Sequence, residues 1–267
     1  MADSTPVFAG SIPANYDRYL VPILFEAYAR DIANRIDIPN EGRVLELACG
    51  TGAVTKQLRA SLANTVHIVS TDLNPGMLEV AQEALSAEAA IEFKVADGTD
   101  LPFEDASFDA VVCQFGVMFF PDKFQGFAEA ARVLRPGGRL YFSVWDTIEH
   151  NGFSKLVHET AISVSPKITF MAMPFSFNDV SYIKTSLESA GFCAMEFSVQ
   201  PRECRSDNIN DAVTGVVAGS PLAAEFEAGN LMEEGRKAME SAFRSKYGDG
   251  PILDTMQAIV IEAAKPL

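Results

Sequence analysis

The stretch VLELACGTGAV, residues 44–54, decides the reading of this chain. Residues 43–48 are almost continuously apolar, as expected of a short parallel strand buried on both faces. Gly50 and Gly52 then turn the chain into a helix predicted from about Ala53 to Leu62. Without a Cβ, glycine lets backbone come close to a ligand. The helix start that follows presents free N–H groups. Open α/β sheets bind ligands at this carboxyl edge, and Glu46 is expected to point at the turn from within the strand. A lone Gly-X-Gly also suits a plain tight turn, so the weight falls on what surrounds it.

Working outward, strands are predicted at 66–72, 91–97, 108–115 and 139–145. A helix is expected over 74–86, with Asn74 as N-cap and Pro75 at its first position. Another spans 122–134 and ends before Pro136, Gly137 and Gly138. This βαβ rhythm predicts a parallel sheet with helices on both faces. Asp72 closes the second strand 20 residues after Gly52, the spacing at which a carboxylate can reach ribose hydroxyls. Asp97, followed by Gly98, closes the third strand and can accept from an exocyclic amine. Three successive strand ends thus offer a glycine turn, a diol acceptor and an amine acceptor.

The runs VLELACGTG, TDLNPGML, VADGTDLPFEDASFDAVVCQFGVMFF and RVLRPGGRLYFSVW fall in order between residues 43 and 145. Together they resemble class I S-adenosylmethionine-dependent methyltransferases, and within them the small-molecule group similar to quinone-biosynthesis C-methyltransferases. The resemblance implies a Rossmann-like, doubly wound α/β fold. Its seven-stranded sheet is mostly parallel with a reversed last strand, and helical insertions form a lid. Residues 192–199 and 256–264 can supply the last two strands. It further implies that the Gly50–Gly52 turn lies beside the methionine part of S-adenosylmethionine. Asp72 would bind the ribose and Asp97 face the adenine. Leu73 and Met77 would flank that ring, and Gln114 would sit near the methionine part or the methyl. The expected cofactor set is completed by Tyr16, Glu46, Ala48 and Gly98.

A dinucleotide oxidoreductase is the competing reading of the same fold. Its fingerprint carries a third glycine where this chain has Thr55, and the turn shows no cation for a pyrophosphate. A non-catalytic cofactor-binding protein is the other alternative.

Residues 16–36 read as a helix; Tyr16 and Tyr19 on it are candidates to cover cofactor or acceptor. Residues 146–178 read as irregular, a helix is expected over 179–191, and 207–247 read as helical. Tyr19, Phe115, Phe119 and Trp145 are expected at the acceptor. Met118, Phe120, Phe170, Met171, Met173, Phe175 and Phe177 serve either core or pocket. That composition predicts a small apolar or aromatic acceptor. Of the three histidines, His67 reads as structural and His158 as a weak candidate. His150, just after the fifth strand, is the base if one is needed. No close cluster of His and carboxylates suggests a metal.

The chain reads as one domain over 1–267, with insertions near 1–36, 146–178 and 205–250. Its 21 basic and 36 acidic residues leave a net charge of −15, which disfavours nucleic acid as a partner. The 4 cysteines include no CxxC pair. With no signal-peptide pattern and no spanning apolar run, they predict a cytoplasmic protein acting on a small-molecule substrate.

Overall fold

A seven-stranded sheet crosses the molecule in the order β3-β2-β1-β4-β5-β7-β6 in the computed structural model, which describes residue 8, residues 10–88 and residues 90–267. The strands are β1 (Arg43–Glu46), β2 (His67–Asp72), β3 (Ile91–Val95), β4 (Phe108–Gln114), β5 (Leu134–Trp145), β6 (Cys193–Ser206) and β7 (Ile252–Ala264). β1 to β5 pair in parallel; β7 runs antiparallel between β5 and β6. This is the Rossmann-like doubly wound sheet with its last strand reversed.

Both faces of the central strands are buried, which is why their sequences are mostly apolar. Alternate residues enter two cores. Val44, Ile68, Ala110, Val112 and Tyr141 pack with Ala29, Ile32, Val54 and Leu58 on one face. Leu45, Val69, Val111, Leu140 and Phe142 join the larger core on the other. The period of two along each strand divides the residues between the layers.

The helices are α1 (Ile12–Asn15), α2 (Glu26–Asn34), α3 (Ala53–Ser61), α4 (Pro75–Ala84), α5 (Lys123–Val133), α6 (Gly152–Val164), α7 (Val180–Ser189), α8 (Ile209–Ala218), α9 (Leu222–Ala228) and α10 (Met232–Tyr247). Between α1 and α2, Tyr16–Phe25 winds as a π-helix with Pro22 inside it. An α-helix through Pro22 would lack one donor and press the ring on the carbonyl four residues back. The wider turn relieves that contact, and such turns gather at functional sites.

Three expectations need correction. Residues 146–178 are not irregular throughout: α6 occupies their centre, with Phe153, Val157 and Ala161 buried at helical spacing. Residues 207–247 form three helices rather than one, because Gly219–Pro221 and Gly229–Leu231 interrupt the run. β6 and β5 are also longer than predicted.

β1 and β4 are neighbours although their connections leave to different sides, so a crevice opens beyond their carboxyl ends. The two loops there touch. A Cβ on Gly116 would lie 2.5 Å from Ala48 Cβ and 2.7 Å from Cys113 Sγ. Gly116→Ala is therefore expected to overpack this junction and cost about 1–3 kcal/mol. Urea unfolding of the variant checks it; an unchanged midpoint would show that the loops can separate freely.

Candidate active site

The turn after β1 is held by its neighbour strand. Ala48, Gly50 and Gly52 all take positive φ, at 51°, 57° and 87°. Asp72, at the end of β2, accepts from Gly50 N through Oδ2 at 2.8 Å and from Asn74 N through Oδ1 at 2.8 Å. Burial raises the Asp72 pKa, and these amide bonds work in the opposite direction. Asn74 Nδ2 adds a longer bond to Oδ1 at 3.4 Å; a carboxylate has about four acceptor sites, so the capacity left for a ligand is on Oδ2.

Asp97 stands beyond the end of β3. Its Oδ1 accepts from Thr99 N at 2.8 Å and Thr99 Oγ1 at 2.7 Å. Gly98 beside it lies under the Phe120 ring, 2.5 Å from where its Cβ would be. Gln114 ends β4; its Nε2 donates weakly to Phe25 O at 3.4 Å, and its buried Oε1 has no partner among the described residues.

These groups surround one cavity of about 450 Å³. Its polar end is formed by Gly50, Asp72, Asn74, Asp97 and Gln114. Its other end is apolar, with Leu24, Phe25, Phe119, Trp145, Phe153 and Phe175. Trp145 and Phe115 stack at 3.8 Å with 9° between their planes, making a flat wall. Tyr16 stacks on Phe25 at 5.1 Å. Burial first, then the charge of Asp72, pushes the Tyr16 hydroxyl far up, so it remains a protonated donor.

The structure brings together Tyr16, Ala48, Gly50, Asp72, Leu73, Met77, Asp97, Gly98, Gln114, Phe115, Phe119 and Trp145 on this lining. It also adds Leu20, Leu24, Phe25, Asn74, Phe153 and Ser154, which sequence reasoning missed. The N-terminal members Leu20, Leu24 and Phe25 come from the same π-helix as Tyr16. Of the core-or-pocket group, Phe120, Phe170, Met171 and Phe175 line the cavity. Phe177 instead packs against Phe127.

Four expected site residues lie elsewhere. Glu46 is 1% exposed beneath the turn. There it accepts from Thr55 Oγ1 at 2.6 Å and Ser70 Oγ at 3.0 Å, so it braces β1 against α3 and β2 and does not reach the cavity. Gly52 starts α3 against Ala81 rather than facing the cavity. Tyr19 is off the lining, with Arg18 over its ring; both it and Leu20 border Gly215 of α8, and of the two Leu20 reaches the cavity. His150 is exposed and paired with Asp146 at 3.3 Å. Asn151 ties that short turn to β7 through Gln257, carrying His150 outward. His67 is exposed at the start of β2, and His158 lies on α6 outside the lining. Among the described residues no group of three metal-ligating side chains occurs.

Whether S-adenosylmethionine fits can be tested on these residues. A Cβ on Gly50 would project into space, with its nearest neighbours Met77 Cε at 3.8 Å and Tyr16 Cε1 at 4.0 Å. The opening is therefore a cradle rather than a packed turn. Asp72 and Asp97 can accept from a diol and an amine, and Gln114 Oε1 is a buried acceptor in need of a donor. Among the described residues no Lys or Arg lines the cavity, so a pyrophosphate would find no side-chain countercharge there. A phosphate-free, diol-bearing, amine-bearing cofactor fits this lining.

Comparison with known proteins agrees. Residues 45–142 match the methyltransferase domain family. A ubiquinone/menaquinone biosynthesis C-methyltransferase UbiE from a Geobacter species is 32% identical over 165 residues, 60% of this chain and 70% of that protein. The chain is a member of the class I S-adenosylmethionine-dependent methyltransferases. A demethylmenaquinone methyltransferase from Clavibacter sepedonicus is 34% identical over 166 residues, 58% of this methyltransferase and 66% of that relative. The match thus spans about two thirds of the length of these relatives. In fold, it resembles phosphoethanolamine N-methyltransferase 2 of Haemonchus contortus bound to S-adenosyl-L-methionine (TM-score 0.60, 18% identity, 96% of this chain and 57% of that one). It also resembles the YcgJ protein of Bacillus subtilis (TM-score 0.59, 17% identity, 90% and 99%).

Burial lifts the Glu46 carboxyl from 4.5 to about 7, while the Thr55 and Ser70 hydroxyls oppose the rise. A raised carboxyl stabilises the fold in its protonated form. That contribution is whole below about pH 4.5 and is lost as pH climbs through about 7. Glu46→Gln keeps acceptors for both hydroxyls and never ionises. It is expected to gain on the order of 3 kcal/mol relative to the parent across this window. Melting curves taken from pH 4.5 to 8 measure it; parallel pH profiles would refute the assignment.

Proposed function

We propose that this methyltransferase moves a methyl group from S-adenosylmethionine to a small, uncharged, apolar or aromatic acceptor, chiefly by holding the two in line. The observation that carries this reading is the division of one cavity into a polar end and an aromatic end. Among its lining residues the ionisable side chains are Tyr16, which stacks on Phe25 and stays protonated, and Asp72 and Asp97, both in the polar end. Among the described residues no His, Lys or Cys of the lining is placed to take a proton from an acceptor.

When bound, the cofactor supplies an electrophilic methyl on a sulfonium, so the protein's task is alignment and exclusion of water. Asp72 accepts from the ribose diol while it clamps the turn, and Asp97 accepts from the adenine amine. Leu73, an apolar side chain 46% exposed, and Met77 offer faces for the ring. Gln114 Oε1, at the junction of the two ends, accepts from the methionine part. The stacked Phe115–Trp145 pair gives a flat acceptor a surface to lie on. The Tyr16–Phe25 segment and the Phe170–Phe175 turn form the wall opposite the sheet, and we assign them the closing of the site.

The relatives' names refer to demethylmenaquinone and to ubiquinone/menaquinone biosynthesis. An apolar ring of that kind suits the aromatic end. No helix among the described residues is long and apolar enough to cross a membrane. Four unpaired cysteines, three of them buried, accord with a reducing compartment, and we place the protein in the cytoplasm.

Asp72→Ala is expected to weaken S-adenosylhomocysteine binding by about 1.5–3 kcal/mol, roughly 10- to 150-fold, measured by titration calorimetry. Unchanged affinity would remove Asp72 from the ribose site. For an acceptor found by screening metabolite pools for a mass gain of one methylene, His150→Ala is expected to leave turnover within a few-fold of the parent. A loss of about 10²-fold or more would restore an acid–base role to His150 and overturn transfer by alignment.

A further inference from the structure

The aromatic end of the cavity carries few polar side chains, and two serines differ in how they are used. Ser220 Oγ donates to Val216 O at 2.7 Å and accepts from Leu222 N at 3.3 Å, so its hydroxyl is spent on joining α8 to α9. Ser154, on α6, is 6% exposed, and its hydroxyl has only the Met256 thioether at 3.8 Å. A thioether is a weak acceptor. Hydroxyls elsewhere on helices commonly turn back to their own backbone. Thr160 and Ser163 on the same helix do so, at 2.7 Å each, and Thr185 and Ser186 of α7 do so at 3.0 and 2.8 Å. Ser154, the third residue of α6, makes no such bond. It is a buried residue of the cavity lining whose hydroxyl is bonded only to that weak thioether acceptor.

We propose that Ser154 is the residue that orients the acceptor: its hydroxyl bonds an oxygen or nitrogen of the bound molecule and thereby selects which atom faces the methyl. This rests on the aromatic end being the acceptor chamber. The acceptor class it implies is a planar apolar ring bearing one hydrogen-bonding group. A buried hydroxyl bonded only to a thioether gains a stronger partner from that group, so the site favours a molecule with it over the same ring without it.

Trp145, the single tryptophan, lines this chamber and reports occupancy by its fluorescence. The probes are naphthol and naphthalene, titrated into protein saturated with S-adenosylhomocysteine. In the parent, naphthol is expected to bind more tightly than naphthalene. In Ser154→Ala the naphthol-to-naphthalene affinity ratio is expected to fall roughly three- to tenfold. Naphthalene and S-adenosylhomocysteine affinities should stay unchanged. An unaltered ratio would overturn the role of Ser154 and leave the chamber intact. Loss of naphthalene binding along with naphthol would reduce Ser154 to a packing residue. If neither probe alters Trp145 fluorescence in the parent, the chamber reading falls and the inference with it.

Discussion

The clamp that Asp72 places on the turn after β1 is the contact on which the site depends. Gly50 N and Asn74 N both point at one carboxylate, so the starts of α3 and α4 are positioned by the same side chain. Charge-assisted bonds of this kind are stronger than neutral ones. Asp72 is nearly buried and therefore resists ionisation, yet the two amides oppose that shift. The same carboxylate then faces the cavity with acceptor capacity to spare.

Around this clamp the fold divides its labour by layer. Beneath the turn, Glu46, Thr55 and Ser70 form a closed hydrogen-bonded set that locks β1, β2 and α3 together. Thr55 occupies the place of the third glycine of a dinucleotide fingerprint, and its hydroxyl has a structural use there. Above the turn, side chains from distant parts of the chain converge on the cavity. Phe25 from the π-helix, Trp145 from β5 and Phe175 from the turn after α6 each lie within about 6.4 Å, ring to ring, of another aromatic of this wall. The polar end is built from strand ends, and the aromatic end joins the ends of β4 and β5 to the N-terminal and inserted segments.

That division bears on chemistry. A donor that is already activated needs orientation and a dry environment more than it needs proton transfer. An aromatic enclosure with carboxylates confined to the cofactor end supplies both. His150 would have been the natural base by its place in the chain, yet Asp146 and the Asn151–Gln257 tie hold it on the outer surface.

The sheet, its parallel order and the polar end were legible in the sequence, because each is set by local rules. Apolar runs such as 108–114 mark strands buried on both faces, and a strand's last residue must lie at the sheet edge. Asp72 and Gln114, which end β2 and β4, therefore reach the cavity wherever the helices lie, and Asp97 follows two residues beyond the end of β3. Helical neighbours were not legible. Tyr16–Phe25, with Pro22 inside it, winds as a π-helix, and with a different number of residues per turn Leu20 reaches the cavity while Tyr19 does not. α6 was hidden in a Phe- and Met-rich stretch, so Ser154 gave no signal of its own. Sequence by itself determined the strand ends, since chain direction and burial fix them. Tertiary structure alone decided which helical faces close the cavity, since that depends on packing between segments far apart in the chain.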